Sequence, residues 1–141
     1  MDHQTPEWVQ SDATFFITLC ALPRGENHLC HPAIGSAILD SVRHRHDRQI
    51  WFCHIAVLMP DHIHVMLSFP DVSAFPKIIG DWKRWMTAQH GITWQKNFFD
   101  HRVRNDDNDT WKADYIFHNP VRAGLVNRPE EWPYFWIPGP S

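Results

Sequence analysis

The sequence predicts an α+β fold of the ferredoxin-like kind, an antiparallel sheet with helices packed against it. Three observations point there. The chain has 141 residues, the size of one domain with its own core. Its apolar runs follow the order β-α-β-β-α-β, the split βαβ arrangement. Turn-forming residues punctuate those runs.

Each element has its own reason. Ala13-Thr14-Phe15-Phe16-Ile17-Thr18-Leu19-Cys20 is β-branched and aromatic, and reads as a first strand. Pro23-Arg24-Gly25-Glu26-Asn27 breaks it. From Pro32 to about His46, Ile34, Ala37, Ile38 and Val42 fall near helical spacing. Gln49 to Leu58 reads as a second strand, Met59-Pro60-Asp61 as a short turn, and His62 to Phe69 as a third strand antiparallel to the second. Pro70-Asp71 and Ser73 open a second helix that runs to about His90, before Gly91. Ile92-Thr93-Trp94-Gln95 is a short fourth strand, and a polar loop follows. Asn108-Asp109-Thr110 offers helix N-cap chemistry, and the residue before Pro120 is steered out of the α region, so a last helix is expected from about Asp109 to His118 or Asn119. The core thus spans about 13–119, and a proline-rich, aromatic tail over 120–141 is expected to pack across the same domain as irregular structure.

Bulk properties narrow the function. No apolar run reaches eighteen residues, so no membrane span is expected. Met1-Asp2-His3-Gln4-Thr5-Pro6-Glu7 lacks the basic and apolar regions of a secretory signal, which makes cytoplasmic residence the default. Cys20, Cys30 and Cys53 have neither a closed disulfide framework nor paired thiolate spacing, and read as small core residues. The net charge of −3 argues against indiscriminate duplex binding, which rests on phosphate neutralisation. The charge is uneven, however. Arg43, Arg45 and Arg48 cluster, as do Lys77, Lys83 and Arg84, while acids gather at Asp106-Asp107-Asn108-Asp109 and Glu130-Glu131. A basic patch on a mildly acidic protein is therefore expected.

The chemistry sits in two motifs. In His62-Ile63-His64 both histidines project from one face of a strand, with Ile63 and Val65 packed beneath. Two imidazoles so placed are half of a metal site, or simply the wetter side of a strand end. In the last helix Tyr115 and Asn119 are four residues apart and share a face. Tyr115 offers a phenol nucleophile, and Asn119 an amide oxygen to complete a divalent ion's ligands. The bland alternatives are a packed tyrosine and an asparagine cap.

Taken in order, His62-Ile63-His64 after Met59-Pro60-Asp61, Trp94-Gln95-Lys96-Asn97-Phe98-Phe99-Asp100-His101, Tyr115-Ile116-Phe117-His118-Asn119-Pro120-Val121-Arg122-Ala123-Gly124-Leu125-Val126 and Pro129-Glu130-Glu131-Trp132-Pro133-Tyr134 resemble the REP-associated tyrosine transposases, a branch of the single-tyrosine HUH transposases. The resemblance runs from about Thr14 to Tyr134. It implies an HUH endonuclease fold with the histidine pair on a central strand and the tyrosine on a C-terminal helix. It also implies a single-strand DNA endonuclease and strand transferase that acts at palindromic hairpins through a 5′-phosphotyrosine. Tyr115 would be the nucleophile, and His62, His64 and Asn119 would hold magnesium or manganese. His118, three residues after Tyr115, competes with Asn119 for that third place.

Weaker candidates for DNA contact are Lys83, Arg84, Arg102, Arg104 and Arg122. Trp82 and Trp85 offer stacking surfaces, though an amphipathic helix with tryptophan on its core side accounts for them equally. Gln95 is structural or a substrate contact, Asp61 holds the turn before the histidine strand, and Lys112 can help deprotonate a phenol that ordinarily ionises near pH ~10. Two other functions stay open: a hairpin-binding protein without turnover, and a metal hydrolase in which Tyr115 is dispensable. Monomer and homodimer are equally compatible with the sequence.

Overall fold

A computed structural model describes residues 6, 8–9, 14–96, 99–103 and 106–139, with backbone alone for 99–103 and 106–111. Its strands are β1 (Thr14–Leu22), β2 (Phe52–Met59), β3 (His62–Ser68), β4 (Thr93–Trp94), β5 (Phe99–Val103) and β6 (Phe135–Trp136). Its helices are α1 (Pro32–Asp47), α2 (Phe75–His90), α3 (Asp106–Phe117) and the one-turn α4 (Asn119–Arg122). The strand order is β4-β1-β3-β2-β6, every pairing is antiparallel, and β5 joins β1 on the same edge as β4. The β4-β1-β3-β2 portion is the arrangement that the β-α-β-β-α-β order predicts, so the α+β expectation holds.

The sheet separates two apolar layers, because successive side chains of a strand point to opposite faces. On one face Ile17 and Leu19 of β1, Leu58 of β2, and Ile63, Val65 and Leu67 of β3 pack against Ile38 and Val42 of α1 and Ile79, Trp82 and Met86 of α2. Trp82 is fully buried there, its indole N–H donating to Ser41 Oγ at 2.9 Å and its ring edge-on to Trp51. Helix α2 stops at Gly91, whose φ of +70° suits glycine and whose N–H reaches the Thr87 carbonyl.

The other face carries a smaller cluster of Ile55, Val57, Met59, Met66, Ile116 and Trp132. It lies under α3 and the C-terminal segment, and His62 and His64 project from it. β2 bulges between Cys53 and Ile55. That surplus residue, His54, lets Cys53 serve one layer while Ile55, Val57 and Met59 serve the other.

Three local expectations change. The segment read as a polar loop after the fourth strand contains β5, whose Phe99, His101 and Val103 alternate with Asp100 and Arg102 but stand among too many charges to signal a strand. The last helix starts at Asp106, three residues early, and ends at Phe117, so Asn119 opens a separate turn. The tail is not irregular. It forms α4, a 3-10 turn at Pro129–Glu131 and β6, which pairs with β2 through Ala56↔Trp136 and Val57↔Phe135. A two-residue strand flanked by prolines is too short to show period-two alternation. Among the described residues no helix is long and apolar enough to cross a membrane.

Candidate active site

His62 and His64 stand side by side on β3, the middle strand of the sheet order, with ring centroids 4.8 Å apart and planes nearly perpendicular. Each inner ring nitrogen is already held. His62 Nδ1 donates to Asp61 Oδ1 at 2.8 Å, since an ionised carboxylate can only accept. His64 Nδ1 and the Thr18 hydroxyl are 3.0 Å apart, across the register pair that joins β1 to β3. These contacts leave the outer nitrogens for a ligand, the usual arrangement of metal-binding histidines. Burial, then the nearby charges of His62 and Arg122, push His64 down to about 3, so its imidazole stays neutral at physiological pH and keeps a lone pair to give.

Asp61 is the hub of this support. Its second oxygen accepts from Arg24 Nε at 2.9 Å and from the Gly25 N–H at 2.8 Å. Burial works to raise the carboxyl, but hydrogen bonds from Arg24, Gly25 and His62, with Arg24's charge, outweigh it and hold it below the carboxylate range. Asp61 therefore ties the loop after β1 to the β2–β3 turn, as the turn reading expected, and also backs His62, which that reading did not foresee. Thr18 and Arg24 went unremarked in the sequence. For Thr18 the signal was there, since β1 alternation puts it on the same face as Phe16.

Helix α3 crosses this face and turns Ile116 down into the apolar cluster. Tyr115 lies on its outer side, 47% exposed. The Arg122 guanidinium sits 3.7 Å from the centre of the Tyr115 ring. Its Nη2 donates to the Tyr115 carbonyl at 2.5 Å and to Asn119 Oδ1 at 3.1 Å. On the near side, the Lys112 ammonium lies 5.8 Å over the Phe16 ring, and that ring is edge-on to His64 at 5.7 Å. The structure thus gathers Tyr115, Asn119 and Arg122, and links them to His64 through the charge of Arg122.

The other candidates fall elsewhere. His118 Nδ1 donates to the Asp114 carbonyl at 2.9 Å. Lys83 and Arg84 are on α2, across the sheet from the histidines. Lys83 Nζ donates to the Gln95 carbonyl at 3.1 Å, and Arg84 pairs with Asp81. Trp85 is half-buried under Arg45, whose guanidinium lies 5.6 Å from the ring centre. The side chain of Arg102 and the whole of Arg104 lie outside the described residues.

The donor set fits a divalent cation. Among the described residues no group of three His, Cys, Asp or Glu side chains gathers, so a third ligand from those residues would be another oxygen, such as an amide, a hydroxyl or a backbone carbonyl. Asn119 Oδ1 is such an oxygen, already turned toward a cation, the guanidinium of Arg122. Two imidazoles and one amide bring no negative charge, which leaves an ion's charge directed at substrate.

Comparison with known proteins gives a consistent picture. No family model matches the chain. It is 30% identical over 95 residues, 55% of its length, to a Haemophilus influenzae protein provisionally named as a REP-associated tyrosine transposase, and covers 53% of that protein. It is 31% identical over 81 residues to the REP-associated tyrosine transposase of Escherichia coli, covering 49% of it. The chain therefore spans about half the length of these curated relatives. Among solved structures it superposes on a REP-associated tyrosine transposase bound to a REP hairpin, with a TM-score of 0.76, 23% identity, and coverage of 94% of this chain and 81% of that one. The resemblance carried by the motifs is borne out: the chain is similar in sequence to two REP-associated tyrosine transposases and has the fold of a solved one.

Proposed function

We propose that this relative of the REP-associated tyrosine transposases cuts and rejoins single-stranded DNA beside a palindromic hairpin in the cytoplasm. The observation that carries the reading is a half-exposed tyrosine on a helix packed on the same sheet face as a histidine pair whose inner nitrogens are already held. The names of the relatives and the hairpin in the structural neighbour supply the substrate class.

The chemistry follows from those residues. Tyr115 Oη forms a bond to phosphorus as the P–O3′ bond breaks. The phenol proton leaves the site with water, and the departing O3′ takes a proton to become a free 3′-hydroxyl. The DNA 5′ end stays on the protein as a phosphotyrosine, and attack by another 3′-hydroxyl reverses the step. A divalent ion, magnesium or manganese, on His62, His64 and Asn119 would polarise a phosphoryl oxygen. Asp61 and Thr18 hold the two imidazoles in orientation. Arg122 and Lys112 bring positive charge to the phenol as it ionises. The net charge of −3 leaves little phosphate neutralisation for plain duplex, so unpaired bases and hairpin shape carry selectivity.

A gel assay with manganese tests this. The parent chain is expected to form a covalent adduct on a hairpin with a single-stranded flank and to leave the same sequence uncut as a perfect duplex. Tyr115→Phe should abolish the adduct and keep DNA affinity within about twofold, since the phenol oxygen is the sole proposed nucleophile. Cleavage by Tyr115→Phe at a substantial fraction of the parent rate would sink the covalent mechanism in favour of a water-using hydrolase. Hairpin binding by the parent with no adduct would leave only a binding protein.

A further inference from the structure

We propose that Arg122 grips the phosphate attacked by Tyr115 and sets the register between nucleophile and DNA backbone. This rests on the reading above and assigns the role to one side chain.

Among the described arginine side chains, Arg45 and Arg48, like Arg122, have no carboxylate partner, but neither lies against Tyr115. Arg24, Arg43, Arg84 and Arg128 each pair with a carboxylate. Arg122 has no such partner among the described residues, although it is exposed beside Asp114. Its contacts use one nitrogen: Nη2 serves both the Tyr115 carbonyl and Asn119 Oδ1. Among the described residues, Nε and Nη1 make no hydrogen bond. A guanidinium carries five N–H donors in a rigid fork matched to two oxygens of a phosphate. Here Nη2 is anchored, and Nε and Nη1, on opposite edges of the guanidinium, are each left to an anion as single donors.

The anchorage is firm. The guanidinium lies flat enough on Tyr115 to come within 3.7 Å of the ring centre. Arg122 is the last residue of α4, and that turn is stopped by Gly124 N–H on the Val121 carbonyl and Leu125 N–H on the Pro120 carbonyl, both 2.9 Å. Beside it opens a cavity of about 170 Å³ lined by Asp114, Tyr115, His118 and Arg122. A phosphate accepting from Nε or from Nη1 in that cavity lies beside the Tyr115 ring. Lysine cannot do this, because an ammonium does not lie over the ring as a planar guanidinium does.

The test uses pentathymidylate as the probe, with EDTA present so that metal plays no part. The chain has two tyrosines, Tyr115 and Tyr134, so the ring resonances of ¹³C-tyrosine-labelled protein are assigned with one Tyr115→Phe sample. Pentathymidylate is expected to shift the Tyr115 signals saturably and to leave Tyr134 in place. Arg122→Met should weaken binding at least fivefold and reduce the slope of log affinity against log salt by roughly 0.7 to 1, the signature of one lost phosphate contact. Arg122→Lys should keep the salt slope but lose most of the Tyr115 shift, an effect that a merely structural role for Arg122 would not produce. Unchanged affinity and slope in Arg122→Met, or no Tyr115 shift in the parent, overturns the proposal. The two readings fail separately: a normal covalent adduct with an unchanged slope in Arg122→Met removes only the grip. A lost slope without any adduct removes only the strand transfer.

Discussion

The two histidines are chemically unequal, and the difference lies in what stands behind each. His62 leans on the Asp61 carboxylate at 2.8 Å, whereas His64 leans on the neutral Thr18 hydroxyl at 3.0 Å. A carboxylate fixes the tautomer and makes the far nitrogen more basic, and the loss of such support commonly costs ten- to a hundredfold in metal affinity. Asp61→Asn is therefore expected to lower manganese affinity by about that factor, while Thr18→Val lowers it by less than about fivefold. Calorimetric titration of both variants decides the matter. Equal losses, or none in Asp61→Asn, would mean that the backing groups do not tune the pair. The histidine triplet was plain in the sequence, and so was an aspartate beside it. The partners Arg24 and Gly25 were not, because they lie 37 and 36 residues before Asp61 and meet it only when the loop after β1 folds over the turn.

At the scale of elements, the specific part of the tyrosine motif encodes a stop and a restart. Pro120 has no N–H to extend α3, so the helix ends at Phe117 and α4 begins at Asn119. Gly124 then takes φ of +77°, and its N–H and that of Leu125 close the turn in a Schellman arrangement. The result swings Arg122 back over Tyr115. Nothing lies within 4 Å of a Cβ added at Gly124 or Gly91, so alanine at either meets only backbone strain. Each replacement is expected to lower stability by about 1–2 kcal/mol in urea unfolding. Only Gly124→Ala should also slow adduct formation, because only that turn carries Arg122. Comparable slowing by Gly91→Ala would show that the site responds to global stability instead. The motif was legible as proline and glycine punctuation. That it makes two helices was not, since a four-residue turn has no period to read. The strand order was legible for the opposite reason: β1, β2 and β3 are long, and β1 and β3 alternate between two layers throughout, as β2 does from Ile55 on.

For the whole molecule, the two-layer sheet makes its stability pH-dependent. His54, the surplus residue of the β2 bulge, bonds Ser68 Oγ through Nε2 at 2.8 Å. Burial, then the charge of His46, pushes it down to about 4. An unfolded histidine titrates near ~6.5, so below that pH the unfolded chain takes up a proton that the fold refuses. The sign is therefore a loss of stability as pH falls from about 6.5 toward 4, and no contribution from this group above that window. At pH 5 His54 alone should cost about 2 kcal/mol, and His64 adds in the same direction. In urea unfolding at pH 7.5 and pH 5, His54→Asn should shrink the acid loss by that amount, and an unchanged loss would rule His54 out as its source. The same architecture has a consequence in time. The Trp132 indole N–H reaches the Leu58 carbonyl at 2.9 Å across 74 residues, and β6 then closes the outer edge of β2. A ribosome adding about 5–20 residues per second leaves that edge open for roughly 4 to 15 seconds after β2 is made. During that interval the nascent chain carries an unpaired, largely apolar strand edge of the kind that can pair with another chain. Slow codons between Leu58 and Trp132 would lengthen the exposure.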